Sequence, residues 1–280
     1  MPLISTIARS LLDRPGGRAL LSQLATARVR LRGNGTRVFY DGCWLQESDG
    51  TYVADWRPNT GRNLTALLNQ ARRHWLTFYE PAEGDIVLDV GAGVGIEAVL
   101  LSRAVGTTGR VIALEAHPRT YTCLCKTCEY NGLKNVTPIN IALADREHTV
   151  FITDEAQHIG NAISVTAGTV PVRGRTLDNL CGELRIDRIT LLRMNIEGAE
   201  RLAIDGMKRM IDRTTYAAIA CHDFKADRTG DDFFRTKRLV VDFLTAHGFR
   251  IVRMGFDEVW ARDHVYAYNP SLASNPLERI

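Results

Sequence analysis

Apolar residues change their spacing along the chain, and the change divides it in two. Over residues 1–27 they recur at Leu3, Ile4, Ile7, Leu11 and Leu12, then at Leu20, Leu21 and Leu24, with Pro15-Gly16-Gly17 between. Three- and four-residue spacing predicts two short amphipathic helices. Val29–Leu31 and Arg37–Tyr40 flank Gly33-Asn34-Gly35 and predict a hairpin, and Thr51–Val53 a third short strand. Leu64, Leu67, Leu68, Ala71, Trp75 and Phe78 predict a helix over Arg62–Tyr79, stopped by Pro81. From Gly84 onward, compact apolar runs alternate with helical periodicity. Strands are predicted at Ile86–Val90, Arg110–Glu115, Val136–Ala142, Ile189–Met194 and Tyr216–Cys221. Helices are predicted from about Val94 to Val105, over Pro118–Tyr130, from Gly198, and over Asp231–His247. Such alternation implies a parallel sheet with helices on both faces.

Short β-type runs at Thr149–Thr153, Ala162–Val165 and Thr169–Arg173 interrupt the pattern without a helix, and Thr176 is set to cap a short helix to Leu184. Phe249–Met254 and His264–Tyr268 predict a late antiparallel pair at a sheet edge. The expected fold is α/β: a doubly wound, mostly parallel seven-stranded sheet. Residues 1–80 form a small helix and hairpin extension, and residues 81–280 the main domain.

Composition narrows the function classes. The 280 residues are 45% hydrophobic and 24% charged, enough for a full core without staples. No apolar run approaches the ~18 residues of a membrane span. The net charge of +3 is too small to imply a nucleic-acid partner. Residues 1–80 are more basic, with 11 Arg and no Lys against 6 acids, but 30 Arg to 5 Lys over the whole chain reads as compositional bias. Met1–Ala8 is followed by Arg9, Asp13 and Arg14, the wrong order for a secretion signal. A cytoplasmic setting and six free thiols are expected. Cys123, Cys125 and Cys128 tempt a metal reading, but on a helix the first two point about 200° apart. No second Cys/His pair follows, so no metal site is expected. The apolar positions of Leu3–Leu24 offer a surface through which two chains could pair.

The densest chemical signal is Ile86-Val87-Leu88-Asp89-Val90-Gly91-Ala92-Gly93-Val94-Gly95, a strand running into a Gly-rich turn that opens a helix. In open α/β sheets the first such turn lets backbone approach a ligand beyond the carboxyl ends of the strands. A dinucleotide site wants G-x-G-x-x-G/A, and Ile96 stands at the sixth position. With acidic Asp89 the turn suits a cationic ligand such as S-adenosylmethionine better than a pyrophosphate. Glu115 ends the next strand, where a carboxylate can accept both ribose hydroxyls of a nucleoside. Asn195 and Glu197 fall at or just beyond the end of the strand at Ile189–Met194, as active-site groups or as a helix cap. His222 leaves the following strand and is a candidate base, or a structural histidine.

D-V-G-A-G-V-G at 89–95, N-G-L-K-N-V at 131–136, A-L-A-D at 142–145, T-L-D-N-L at 176–180 and N-I-E-G-A-E at 195–200 together resemble the class I S-adenosylmethionine-dependent methyltransferases, and more closely the FkbM family. The likeness runs from about Glu80 to Tyr268. It implies a Rossmann-like domain with cofactor contacts at Asp89, Gly91, Ala92, Gly93, Gly95 and Glu115, and adenine near Ala142 and Leu143. It also implies methylation of a hydroxyl on a sugar, glycolipid or secondary metabolite. The family usually shows Asp-x-Glu-Gly where this chain has Asn195-Ile196-Glu197-Gly198. Taken together, the expected catalytic residues are His222, Glu197 and Asn195. An NAD-dependent oxidoreductase and a cofactor-binding scaffold without methyl transfer remain as alternatives.

Overall fold

The computed structural model describes residues 14–31, 36–58, 63–153, 163–164 and 170–279. The first predicted N-terminal helix and the Gly33-Asn34-Gly35 turn lie outside them. Helix α1 runs over Pro15–Arg30, with Pro15 in its first turn. It absorbs Val29, which had been expected to open a strand. Ala25 and Val29 lie about one helical turn apart, and both are buried against Val38 and Trp44. The hairpin is instead β1 (Arg37–Asp41) with β2 (Cys43–Ser48), turning at Gly42, and β3 (Thr51–Asp55) completes a three-stranded antiparallel sheet.

Helix α2 (Leu64–Trp75) is capped by Asn63, whose side chain accepts a hydrogen bond from the Ala66 N–H. The alternation then unfolds as expected: β4 (Ile86–Val90), α3 (Ile96–Val105), β5 (Arg110–Leu114), α4 (Pro118–Tyr130) and β6 (Val136–Ile139). The run predicted to continue to Ala142 breaks at Asn140. Its side-chain N–H groups donate to the Glu115 and Ala116 carbonyls, and the chain bends there. The next residues, β7 (Ala142–Leu143), leave for a second sheet with β8 (His148–Ile152), β9 (Ile163–Ser164) and β10 (Val170–Arg175), in the order β7-β10-β8-β9.

After α5 (Leu177–Glu183), capped by Thr176, come β11 (Ile189–Met194), the short α6 (Glu200–Ala203), β12 (Thr214–Ile219) and α7 (Asp223–Thr229). Helix α8 (Lys237–Ala246) starts later than its apolar spacing suggests, because the Asp223 carboxylate accepts the N–H groups of Thr236 and Lys237. Strands β13 (Arg250–Val252) and β14 (Val265–Tyr268) finish the main sheet, ordered β13-β14-β12-β11-β4-β5-β6. Five neighbouring strands are parallel, and β14 is antiparallel to both β12 and β13.

The N-terminal segment is joined to this sheet by core contacts. Trp75, Leu76 and Phe78 pack with Val87, Leu101 and Tyr216. Leu45, Ala54 and Leu64 pack with Val94 and Cys123. Thr127 on α4 donates its hydroxyl to the Val94 carbonyl at 2.7 Å and accepts the Ala54 N–H at 2.9 Å, tying β3 to the glycine turn. The six cysteines are free thiols, and Cys43 and Cys123 sit 3.5 Å apart in this interface. Among the described residues no helix is long and apolar enough to cross a membrane.

Candidate active site

Parallel strands β4, β5, β11 and β12 end on one side of the sheet, and a cavity of about 350 Å³ opens there. Its floor is the turn after β4. At Gly91, φ is 76°, and a Cβ would lie 2.1 Å from the Asn195 carbonyl oxygen, so glycine lets this turn pack against the end of β11. At Gly93, φ is 56° and a Cβ would meet no atom within 4 Å. That open space belongs to the cavity. Gly95 does not line it: this glycine packs the start of α3 against Leu124 and Thr127 of α4.

Glu115 fixes the turn. One carboxylate oxygen accepts the Gly93 N–H and the other the His117 N–H, each at 2.9 Å. Burial pushes this carboxyl up to about 7, although both hydrogen bonds oppose the shift. Ala142 and Leu143 from β7 and Ile152 from β8 form an apolar wall beyond it.

Asp89, expected among the cofactor contacts, lies behind the floor and does not line the cavity. Arg193 of β11, 2% exposed, donates to Asp89 Oδ1 at 2.8 Å, to the Gly91 carbonyl at 2.9 Å and to Glu97 at 3.0 Å. Its guanidinium lies 4.2 Å above the Trp75 ring centre. Burial raises the Asp89 carboxyl to about 6 against the pull of Arg193. The other Asp89 oxygen is buried without a hydrogen-bond partner.

The three expected catalytic residues all line the cavity. His222 Nε2 is 3.4 Å from Glu197, and Nδ1 is 3.7 Å from the buried Glu200. Lys225, one turn into α7, forms an ion pair with Glu197. Burial alone would lower the His222 pKa, but Glu197 and Glu200 outweigh it and hold the imidazole above its ordinary value. Burial likewise opposes ionisation of Glu197, and His222 and Lys225 bring its carboxyl below the usual range. Glu197 has φ of 57°, in the left-handed region that non-glycine residues enter mainly where surroundings enforce it. Neither Asn195 nor Glu197 caps a helix, since Ala199 holds the N-cap of α6 without a side-chain bond. The Asn195 Oδ1 is buried and has no partner.

Several cavity residues had no signal that sequence reasoning caught. Gln70, His74 and Trp75 arrive on α2, and Trp260 and His264 on the segment before β14. Two did leave a trace. Arg193 is a lone charge inside an apolar strand, and Lys225 follows three residues after His222, in the first turn of α7.

A parallel sheet of this order, a Gly-rich turn after its central strand and a carboxylate at the end of the next define a class I, Rossmann-like methyltransferase domain. Residues 89–251 match the methyltransferase FkbM domain. The chain belongs to that family: it is a methyltransferase, and S-adenosylmethionine is its cofactor. Among solved structures it is similar to the methyltransferase FkbM from Methylobacillus flagellatus KT, at 16% identity and a TM-score of 0.49, covering 69% of this chain and 46% of that one. It is also similar to Aeropyrum pernix fibrillarin with natively bound S-adenosylmethionine, at 16% identity and a TM-score of 0.45, covering 84% and 82% of the two chains. A third is an S-adenosylmethionine-dependent methyltransferase from Aquifex aeolicus, at 19% identity and a TM-score of 0.44, covering 74% and 96%. No curated protein matches the chain.

Proposed function

We propose that this chain is an O-methyltransferase acting on a hydroxyl of a sugar, glycolipid or other metabolite, with His222 as the base. The observation that carries the reading is the His222–Glu197–Lys225 cluster on the wall of the cavity whose floor is the glycine turn. A neutral hydroxyl is a weak nucleophile, and a positioned base is what its methylation needs. An unprotonated amine is the stronger nucleophile and needs less help.

The residues present suit S-adenosylmethionine. Glu115 offers carboxylate oxygens to the ribose hydroxyls, and Ala142, Leu143 and Ile152 offer an apolar face to the adenine. Gly93 leaves a cradle that a side chain would fill. Glu97 and Glu197 place negative charge in the cavity, as a ligand bearing a sulfonium and an ammonium favours. When bound, the cofactor supplies an electrophilic methyl group. Asp89 acts through Arg193, which holds both the Gly91 carbonyl and Glu97 in place. His222 takes the acceptor proton at Nε2, since Nδ1 is buried and faces Glu200, and Glu197 beside Nε2 stabilises the imidazolium that forms. Lys225 in turn holds the Glu197 carboxylate. Holding the acceptor oxygen in line with the methyl group supplies much of the remaining acceleration.

The test is the linkage formed. Protein incubated with methyl-labelled S-adenosylmethionine and a panel of sugars, glycolipids and hydroxylated metabolites should place label in ethers stable to alkali. Label confined to amines or carbon would overturn the hydroxyl reading.

A further inference from the structure

His264 lines the same cavity as His222 and has the opposite electrostatics. Its protonation pattern follows from a chain of hydrogen bonds. The Tyr266 hydroxyl has one proton and gives it to the His74 carbonyl at 2.6 Å, because a carbonyl can only accept. The 3.1 Å contact between the Tyr266 oxygen and His264 Nδ1 is therefore filled by the Nδ1 proton. Burial, reinforced by His222 and nearby cations, pushes the ring down to about 3, so it is neutral. A neutral imidazole protonated at Nδ1 carries a lone pair at Nε2, and that atom has no partner among the described residues. The ring cannot turn freely. It stacks on Trp75 at 4.8 Å and 18°, and Trp260 lies 5.6 Å away on the cavity wall.

We propose that His264 is an acceptor-recognition residue, whose Nε2 accepts a hydrogen bond from a second, unmethylated hydroxyl of the substrate. The proposal rests on the reading of His222 as base. A reacting hydroxyl has a single proton and gives it to His222. It has none left for His264, so this lone pair calls for another O–H on the same molecule. The substrate is then a compact molecule with at least two hydroxyls, such as a polyol ring, with Trp260 and Phe224 offering apolar faces to its C–H side. Two imidazoles driven apart in one cavity divide the work: one accepts a proton, the other only a hydrogen bond.

The probes are cyclohexanol and cis- and trans-1,2-cyclohexanediol, titrated by ligand-detected NMR against the full chain saturated with S-adenosylhomocysteine. At least one diol should bind about 5-fold or more tighter than cyclohexanol, the worth of one additional hydrogen bond. His264→Phe keeps a flat ring beside Trp75 but has no lone pair. It should bring the three alcohols to within about twofold of each other, while His264→Gln restores part of the preference. S-adenosylhomocysteine affinity should be unchanged in both. No diol preference in the parent, or a preference that survives in His264→Phe, would overturn the role of His264. If His264→Phe does not fold, the parent preference and its reduction in His264→Gln decide. Failure of the parent to bind S-adenosylhomocysteine at all would instead strike the methyltransferase site on which the proposal rests.

Discussion

The cavity raises the pKa of both His222 and Glu115, by different means. His222 is held above its ordinary value by Glu197 and Glu200, against burial. A base works in its neutral form, so turnover should rise with pH through a limb that lies above ~6.5. His222→Ala should lower turnover by ~10²–10⁴-fold with S-adenosylhomocysteine affinity nearly unchanged. Turnover within a few-fold of the parent at neutral pH would return His222 to a structural role. Glu115 is pushed up to about 7 by burial, and ribose hydroxyls donate better to its ionised form. Affinity for S-adenosylhomocysteine should therefore climb from pH 6 to pH 8. Glu115→Gln cannot ionise and should flatten that climb, which calorimetric titration at the two pH values checks. Glu115, Asn195, Glu197 and His222 were legible because each stands at the end of a readable strand. Asp89 was legible as an acid but not as the partner of Arg193, since which neighbour a buried carboxylate meets depends on strand order.

Strand β11 brings Arg193 beside Asp89 of β4, and α2 brings Trp75 over the guanidinium. Three elements thus meet in one buried ion cluster. Arg193→Met would leave Asp89 buried and unpaired, at a cost of about 3–5 kcal/mol where the carboxyl is ionised. Asp89 is already raised to about 6 by burial, and loss of Arg193 raises it further. The folded variant then keeps a proton that the unfolded chain loses near ~4, so its stability falls as pH rises above that value. The variant should lose more melting temperature relative to the parent at pH 8 than at pH 5. An equal loss at both values would show that Asp89 is not the group left stranded. Long periodic elements such as α2 and α4 could be read from spacing. The strand expected at Val29–Leu31 failed because three residues cannot distinguish the two periods. The cavity wall on α2 was unreadable for another reason. Its inward residues look like ordinary core positions until the tertiary fold sets them over the glycine turn.

The N-terminal segment had been set apart from the main domain by its apolar spacing, yet its contacts make it part of the cavity wall. Trp75 and Phe78 share a core with β4, and the β3 backbone reaches the Val94 carbonyl through Thr127. The whole arrangement converges on the space above Gly93. If that space is the cofactor site, a side chain there must exclude the ligand while leaving neighbouring protein atoms untouched, since a Cβ meets nothing within 4 Å. The left-handed φ at this position will cost Gly93→Val some stability, so its melting curve is recorded alongside. Calorimetric titration of S-adenosylhomocysteine into the parent and into folded Gly93→Val is the direct measurement. The structure predicts one site per chain in the parent, no response to NAD, and at least a ~100-fold loss of affinity in the variant, about 2.7 kcal/mol. Equal affinity in the two proteins would contradict the assignment of the cavity above Gly93 as the cofactor site.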